Sequence, residues 1–196
     1  MRWEGTGMLT LKSLDDAQIS MLYEEKMKRD FPPSELKRLS SILSMRNSGI
    51  YDVLGAYQNN IFVAYALIYR DEAARVVLLD YLAVDEPYRS QGIGSALLSR
   101  LRAYYSDSSD VLLIECESPK AAPDEEGARK RIHFYTQAGA ELTTILIWLF
   151  GVEYSIMVLP CAEKAPSKDW AQQMLALYRQ MLPAELYEKN VRLLQS

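Results

Sequence analysis

The chain has 196 residues, about half of them hydrophobic and a quarter charged, with a formal charge of -4 and a pI near 5.2. That size suits one domain with an appendage, and the acidic balance excludes nucleic acid as a default partner, because phosphate binding needs a basic face. No uninterrupted apolar run, the strand-sized Ile145–Phe150 included, approaches the roughly 18 residues of a membrane span, so no membrane partner is expected.

The first residues, Met1 to Gly7, have no apolar core and no small-residue cleavage pattern, which is not how a secretory signal reads. Met8–Leu14 reads as a first strand, after which Asp15 and Asp16 supply N-cap chemistry for a helix with Ile19, Leu22, Tyr23 and Met27 on one face. Phe31-Pro32-Pro33 breaks that helix. A second is predicted from about Ser34, bearing Leu36, Leu39 and Leu43 and ending at Asn47-Ser48-Gly49. Tyr51–Tyr57 and Ile61–Tyr69 flank Gln58-Asn59-Asn60 as a hairpin, and a turn at Asp71–Ala74 leads into the apolar strand Val76–Val84. Ser95–Tyr105 reads as a helix with Leu97, Leu98, Leu101, Tyr104 and Tyr105 on its buried stripe, and Val111–Glu117 as a strand.

Pro119–Gly127 is polar and irregular. Ala128–Ala138 then reads as a helix closed by Gly139 at the left-handed cap position. Leu142–Phe150 and Tyr154–Leu159 form a strand pair turning near Gly151. A polar link follows Pro160, and Trp170–Leu182 and Ala184–Leu194 are predicted as helices. The apolar face of the first (Met174, Leu175, Tyr178, Met181, Leu182) suits packing on the sheet or on a second subunit in a homodimer. This order, β-α-α-β-β-β-α-β-α-β-β, describes an α/β fold: a mixed sheet with helices on both sides. Cys116 and Cys161 lack CxxC spacing, and the lone His133 cannot complete a zinc site with them. No metal is expected, and reduced cysteines fit a cytoplasmic protein.

Residues 78–105 carry the chemistry. An apolar strand runs into a short loop, and Arg89-Ser90-Gln91-Gly92-Ile93-Gly94 opens an amphipathic helix. Glycines at 92 and 94 allow unusual dihedrals and let a ligand approach the backbone. The first helical N–H groups have no internal partner, and together with the helix dipole they favour an anion by about 0.3–1 kcal/mol. A diphosphate fits. A Walker loop needs Gly-Lys-Ser/Thr, but Gly94 is followed by Ser95-Ala96; a Rossmann fingerprint needs Gly or Ala where Leu97 stands.

What remains, Arg-x-x-Gly-x-Gly after a strand ending Leu82-Ala83-Val84, resembles the acetyl-CoA motif of the GNAT superfamily of N-acetyltransferases. The segment Phe134-Tyr135-x-x-x-Gly139-Ala140 is similar to a second GNAT segment. The resemblance covers residues 8–160 as an acetyltransferase domain, with 161–196 as a C-terminal helical extension. It implies a mostly antiparallel GNAT-like sheet and acetyl-CoA as cosubstrate. Backbone groups of Leu82, Ala83 and Val84 would pair with the pantetheine arm. Amides of Arg89, Ser90, Gln91, Gly92, Ile93, Gly94 and Ser95 would hold the diphosphate, and Tyr135 would sit beside the CoA sulfur as general acid. Phe31-Pro32-x-x-Glu35 resembles an element that would lie near the acceptor.

The sequence departs from the family pattern in two places. The asparagine that often precedes the tyrosine helix is not evident at Glu126–Arg131, and Leu78 stands where protein-lysine acetyltransferases place a glutamate. The general base is therefore open. Glu117 is the first candidate, with Glu115 on the same side of its strand and Asp80 as alternatives. The identity of the amine decides how much a base matters. Neutralising an alkylamine of pKa near 10.4 at pH 7 costs about 4–5 kcal/mol, against about 1 for an α-amine near 7.7. His133 lies on a different helix face from Tyr135, and Arg129-Lys130-Arg131 reads as a solvated basic run. Cys116 has no accompanying histidine motif, so direct attack of the amine on the thioester is expected. A non-catalytic acyl-CoA-binding regulatory domain is the alternative, and an interaction module built on the C-terminal helices is a third reading.

Overall fold

The structure, a computed structural model, describes residues 8–162 and 165–196. The segment Met1 to Gly7 lies outside the described residues, as do two positions of the link after Pro160. The fold is a mixed α/β one with a sheet flanked by helices, as the element order predicts, and the sheet is mostly antiparallel, as the resemblance implies. It divides into two compact units: the chain to Arg70 with Leu78–Ala103, and Asp71–Val77 with Tyr104–Ser196.

In the first unit the strands run in the order β1 (Thr10–Ser13), β2 (Tyr51–Gln58), β3 (Ile61–Asp71) and β4 (Val76–Val84). Asn59 and Asn60 both take positive φ, 49° and 63°, and Gln58 pairs with Ile61. This is the two-residue turn whose twist suits a hairpin, and asparagine tolerates it best after glycine. Every residue of Val63–Tyr69 is buried, as is Val76–Leu79, which explains the near-continuous apolar runs.

Helix α1 (Asp16–Leu22) starts at a capping box: the Asp15 carboxylate accepts from the Gln18 amide, and the Gln18 side chain answers to the Asp15 amide. It continues as a π-helical stretch over Tyr23–Met27 and a last turn, α2 (Lys28–Asp30), which Phe31 and Pro32 end. The next helix, α3, spans Leu39–Asn47 and does not begin at Ser34. The backbone of 35–37 is taken up elsewhere. The Tyr81 hydroxyl donates to the Glu35 carbonyl (2.7 Å) and accepts from the Lys37 amide (2.9 Å), and Tyr23 donates to the Lys37 carbonyl (3.0 Å). Helix α4 (Ile93–Tyr105) buries Ile93, Leu97, Leu98, Leu101 and Tyr105. Tyr104, expected on that stripe, is instead exposed and meets Tyr105 edge-on.

The second unit orders its strands β5 (Val111–Glu117), β7 (Val152–Pro160), β6 (Glu141–Leu149) and β8 (Val191–Gln195). Helix α5 (Glu125–Gln137) starts three residues before the predicted Ala128, because the Asp124 carboxylate caps it by accepting from the Gly127 amide at 2.9 Å. It ends in a Schellman arrangement: Gly139 has φ 94°, its amide donates to the Thr136 carbonyl, and the Ala140 amide donates to the Tyr135 carbonyl.

The C-terminal segment differs from expectation. After α6 (Trp170–Met181), helix α7 (Ala184–Asn190) stops early, and Val191–Gln195 becomes a strand antiparallel to β6, with Leu149 opposite Val191. The edge of β6 offers Val-Arg-Leu-Leu a ladder of backbone partners, which outweighs weak local helix preference. Helix α6 buries Met174, Leu175, Leu177 and Tyr178 within the chain, each worth about 1.5–3 kcal/mol in apolar burial.

Candidate functional site

The site begins where β4 runs out. Past Val84, the Asp85 amide donates to the Val63 carbonyl (2.9 Å), and a single turn over Glu86–Tyr88 brings the Arg89 amide to the Glu86 carbonyl (3.3 Å). Ser90 and Gly92 then take positive φ, 61° and 79°, a region costly for side-chain-bearing residues and free for glycine. The Ala96 amide is the first to bond back along the helix, to the Gly92 carbonyl at 3.0 Å. Ile93, Gly94 and Ser95 thus present the first-turn amides that a helix cannot satisfy internally. Gly94 lies inside that first turn, so its contribution is an absent side chain. Leu82, Ala83 and Val84 are half-buried. The Arg89 guanidinium is turned inward, with Nε on the Val84 carbonyl and Nη2 on Asp30, both at 3.0 Å, and Gln91 folds onto the Pro87 carbonyl (2.8 Å). Arg89 thus differs from its neighbours, because both its amide and its side chain are already engaged.

On the same unit Asp80 projects from β4 with its side chain only 8% exposed, paired with Lys37 Nζ at 2.7 Å and accepting from the Tyr51 hydroxyl. Burial first, and then the Asp80 charge, push the Tyr51 phenol well above its usual range. Asp80 is thus an anchor for the segment that carries Lys37. The Phe31-Pro32-x-x-Glu35 element lies over the same strand, with the Phe31 ring edge-on to Tyr81 at 4.8 Å.

The second unit carries Tyr135 and Glu117. Tyr135 is half-buried on α5, and among the described residues none hydrogen-bonds its hydroxyl. Burial raises its pKa, the Cys116 thiol raises it further, and Arg131 opposes both. Arg131, four residues earlier on the helix, donates to Glu117, whose side chain is 22% exposed. Glu115 accepts from the Tyr178 hydroxyl of α6, so the two strand carboxylates answer to different helices. Cys116 is buried and contacts the Met157 sulfur at 3.8 Å. Burial pushes its thiol up to about 12, against a lowering effect of Arg131. Such a thiol stays protonated and makes a poor nucleophile. Cys116→Ala should keep kcat within threefold, and intact-mass analysis of enzyme mixed with acetyl-CoA alone should show no acetyl adduct. A trapped acetyl-enzyme lost in the variant would reverse this.

His133 is exposed, and Arg129 and Lys130 pair with Glu125 and Glu126 one turn earlier, which is the solvated face expected. Sequence reasoning did not find Asp30, Lys37 or the Glu115 contact of Tyr178. The last left one signal: a tyrosine on an otherwise apolar stripe needs an acceptor for its hydroxyl when buried. Among the described residues, no group of three or more His, Cys, Asp or Glu is placed to hold a metal ion, and no helix is long and apolar enough to cross a membrane.

The model of the GNAT acetyltransferase family matches residues 16–139, from α1 through the whole of α5. The chain belongs to the GNAT family. As a GNAT acetyltransferase it is an acyl-CoA-dependent N-acyltransferase, and acetyl transfer to amines is general for the family. Similar solved structures include a GNAT acetyltransferase from Bacteroides thetaiotaomicron, at 17% identity and TM-score 0.68 over 88% of this chain and 95% of that one. The ribosomal-protein-S18-alanine N-acetyltransferase of Escherichia coli matches at 22% identity and TM-score 0.59, over 83% and 99%. The spermidine N-acetyltransferase of Vibrio cholerae, solved with CoA and spermine, matches at 11% and 0.61, over 78% and 95%. At these identities the likeness shows the fold alone. No curated protein matches the chain.

Proposed function

We propose that this GNAT enzyme moves an acetyl group from acetyl-CoA to a small-molecule or peptide amine by direct attack on the thioester. The observation that carries the reading is the start of α4, where Gly92 turns the chain at φ 79° and the first-turn amides of Ile93, Gly94 and Ser95 are left without internal partners. Donors in that arrangement suit a diphosphate. In this reading the amides of the loop from Ser90 through Ser95 hold the diphosphate, Ile93 to Ser95 doing most of it, while Arg89, expected among these donors, has its amide on the Glu86 carbonyl and shapes the loop instead. Leu82, Ala83 and Val84 pair with the pantetheine arm. Tyr135 hydrogen-bonds the departing sulfur. Residues 8–160 form the acetyltransferase domain and 161–196 an extension to it. Cys116 and Cys161 are both buried and neither is in a disulfide among the described residues, which fits a reducing cytoplasmic setting. A homodimer would use a surface other than the apolar face of α6, which the chain buries itself.

Glu117 is proposed as the base that takes the amine proton through water, with Arg131 fixing its carboxylate. For an alkylamine acceptor, Glu117→Gln should lower kcat/KM most at neutral pH and recover at high pH, where the free amine accumulates. A pH–rate profile that overlays the wild type removes Glu117 from the mechanism.

The relatives act on a ribosomal-protein alanine and on spermidine, so peptide amines and polyamines head the acceptor screen, followed by amino acids and aminoglycosides, with thiol release as the readout. Turnover with one class establishes the reading. CoA binding without turnover of any amine would make the chain an acyl-CoA-binding regulatory domain instead.

A further inference from the structure

We infer that Asp30 is the positioning residue that sets the shape of the cofactor loop, and that it does so by holding Arg89. The inference rests on the reading that this loop binds CoA, and it adds a residue that the glycine motif does not contain. Asp30 is the last residue of α2, where the chain turns extended at Phe31, and its carboxylate is 3% exposed. Three side chains satisfy it. Tyr65 donates to Oδ2 at 2.9 Å, Arg29 donates to both oxygens at 3.0 and 3.3 Å, and Arg89 Nη2 donates to Oδ1 at 3.0 Å. A carboxylate this buried is tolerated because its donors are this complete.

Arg89 is the member that reaches the loop. With Nε on the Val84 carbonyl and Nη2 on Asp30, its guanidinium closes the span 84–89 like a brace, from the end of β4 to the residue before Ser90. Ser90 is the first residue in the left-handed region, at φ 61°. A serine keeps that conformation when its neighbours hold it there. The start of the same span is held as well, since Asp85 pairs with Lys26 at 2.9 Å and Arg29 at 3.1 Å. The helical segment from Lys26 to Asp30 therefore grips both ends of the turn that leads into α4. Three cations against two carboxylates also leave this cluster net positive, which favours an anionic ligand at the loop.

The consequence separates Arg89 as a brace from Arg89 as a phosphate ligand. A brace loses its function when Asp30 is neutralised; a direct ligand gains from that change, because a competing carboxylate is removed. Isothermal titration of the full chain with CoA tells them apart. Asp30→Asn should weaken CoA binding about tenfold, raise KM for acetyl-CoA in step, and lower saturated kcat by less than threefold. Tyr65→Phe removes a different donor from the same carboxylate and should stay within twofold of wild type. Asp30→Asn combined with Arg89→Ala should bind no more weakly than Arg89→Ala alone. Unchanged or tighter binding by Asp30→Asn overturns the inference, as do equal losses in Asp30→Asn and Tyr65→Phe, or additive losses in the double variant. Should Asp30→Asn fail to fold, Arg89→Ala, at a side chain 51% exposed, carries the test: wild-type CoA affinity in that variant also overturns it. A wild-type chain that binds no CoA refutes the cofactor reading itself, which is a different outcome from any of these.

Discussion

Gly94→Glu should weaken CoA binding by a hundredfold or more in a protein that still folds. The fold is expected to survive because Gly94 stands in the first turn of α4, where a carboxylate is favourable to the helix by about 0.3–1 kcal/mol. The same position is the worst one for the ligand. The new carboxylate takes the field that the free amides would offer a diphosphate. It also places like charges a few ångströms apart, worth about 4 kcal/mol at 4 Å near a protein surface. That alone corresponds to about a thousandfold in affinity, before the bulk of the side chain is counted. Gly92 is the less clean target. A side chain there would meet no atom within 4 Å but would be strained at φ 79°, so lost binding would mix loop distortion with charge. Isothermal titration with CoA after a check of the melting curve decides the matter, and wild-type affinity in folded Gly94→Glu would put the cofactor elsewhere.

What the sequence made legible follows from how local each cause is. β4 and β5 were bounded to the residue, because apolar runs between polar turns leave little choice of register. The Asn59-Asn60 hairpin and the Gly139 cap were legible for the same reason: each rests on a backbone conformation that few residues tolerate. The late start of α3 depended on Tyr81 and Tyr23, which reach across the fold to residues 35–37, and the final strand depended on a free edge of β6. No window of neighbouring residues contains either cause. The candidate site divides in the same way. The loop could be read because glycine spacing reports on backbone shape. The partners of the charged side chains could not, since Asp30 and Arg89 lie 59 positions apart, and Glu115 and Tyr178 lie 63 apart. The three carboxylates weighed as bases, Glu117 ahead of Glu115 and Asp80, each answer to different side chains: Lys37 and Tyr51 for Asp80, Tyr178 for Glu115, and Arg131 for Glu117.

Tyr135→Phe should lower kcat by about 10²–10⁴-fold and leave CoA affinity within a few-fold of wild type. The magnitude is that of losing a positioned proton donor. Three features of the residue support it. Its backbone is fixed by the Schellman closure of α5, in which the Ala140 amide bonds to the Tyr135 carbonyl at 3.0 Å. Its hydroxyl has no hydrogen-bond partner among the described residues, so the donor is not spent inside the protein. Burial and the Cys116 thiol hold its pKa above the ordinary value near 10, in spite of Arg131. That direction fixes the pH behaviour. A phenol raised in this way keeps its proton through neutral and mildly alkaline pH, so wild-type kcat should show no fall near pH 10 that disappears in the variant. It also limits the chemistry. A thiol like that of cysteine titrates near 8.5, so complete transfer from even an unperturbed phenol is uphill by about 2 kcal/mol, and burial makes it steeper. On the proposed mechanism Tyr135 is therefore a hydrogen-bond donor to the sulfur as charge develops, and the proton that finally leaves with CoA comes from the attacking amine. The phenyl ring of the variant preserves packing against Phe134, whose centroid lies 5.0 Å away, so a loss confined to kcat reports on the hydroxyl. Steady-state kinetics with the acceptor found by screening, beside CoA titration of the same preparation, make the test: a kcat within threefold of wild type, or a change confined to KM, removes Tyr135 from the chemical step.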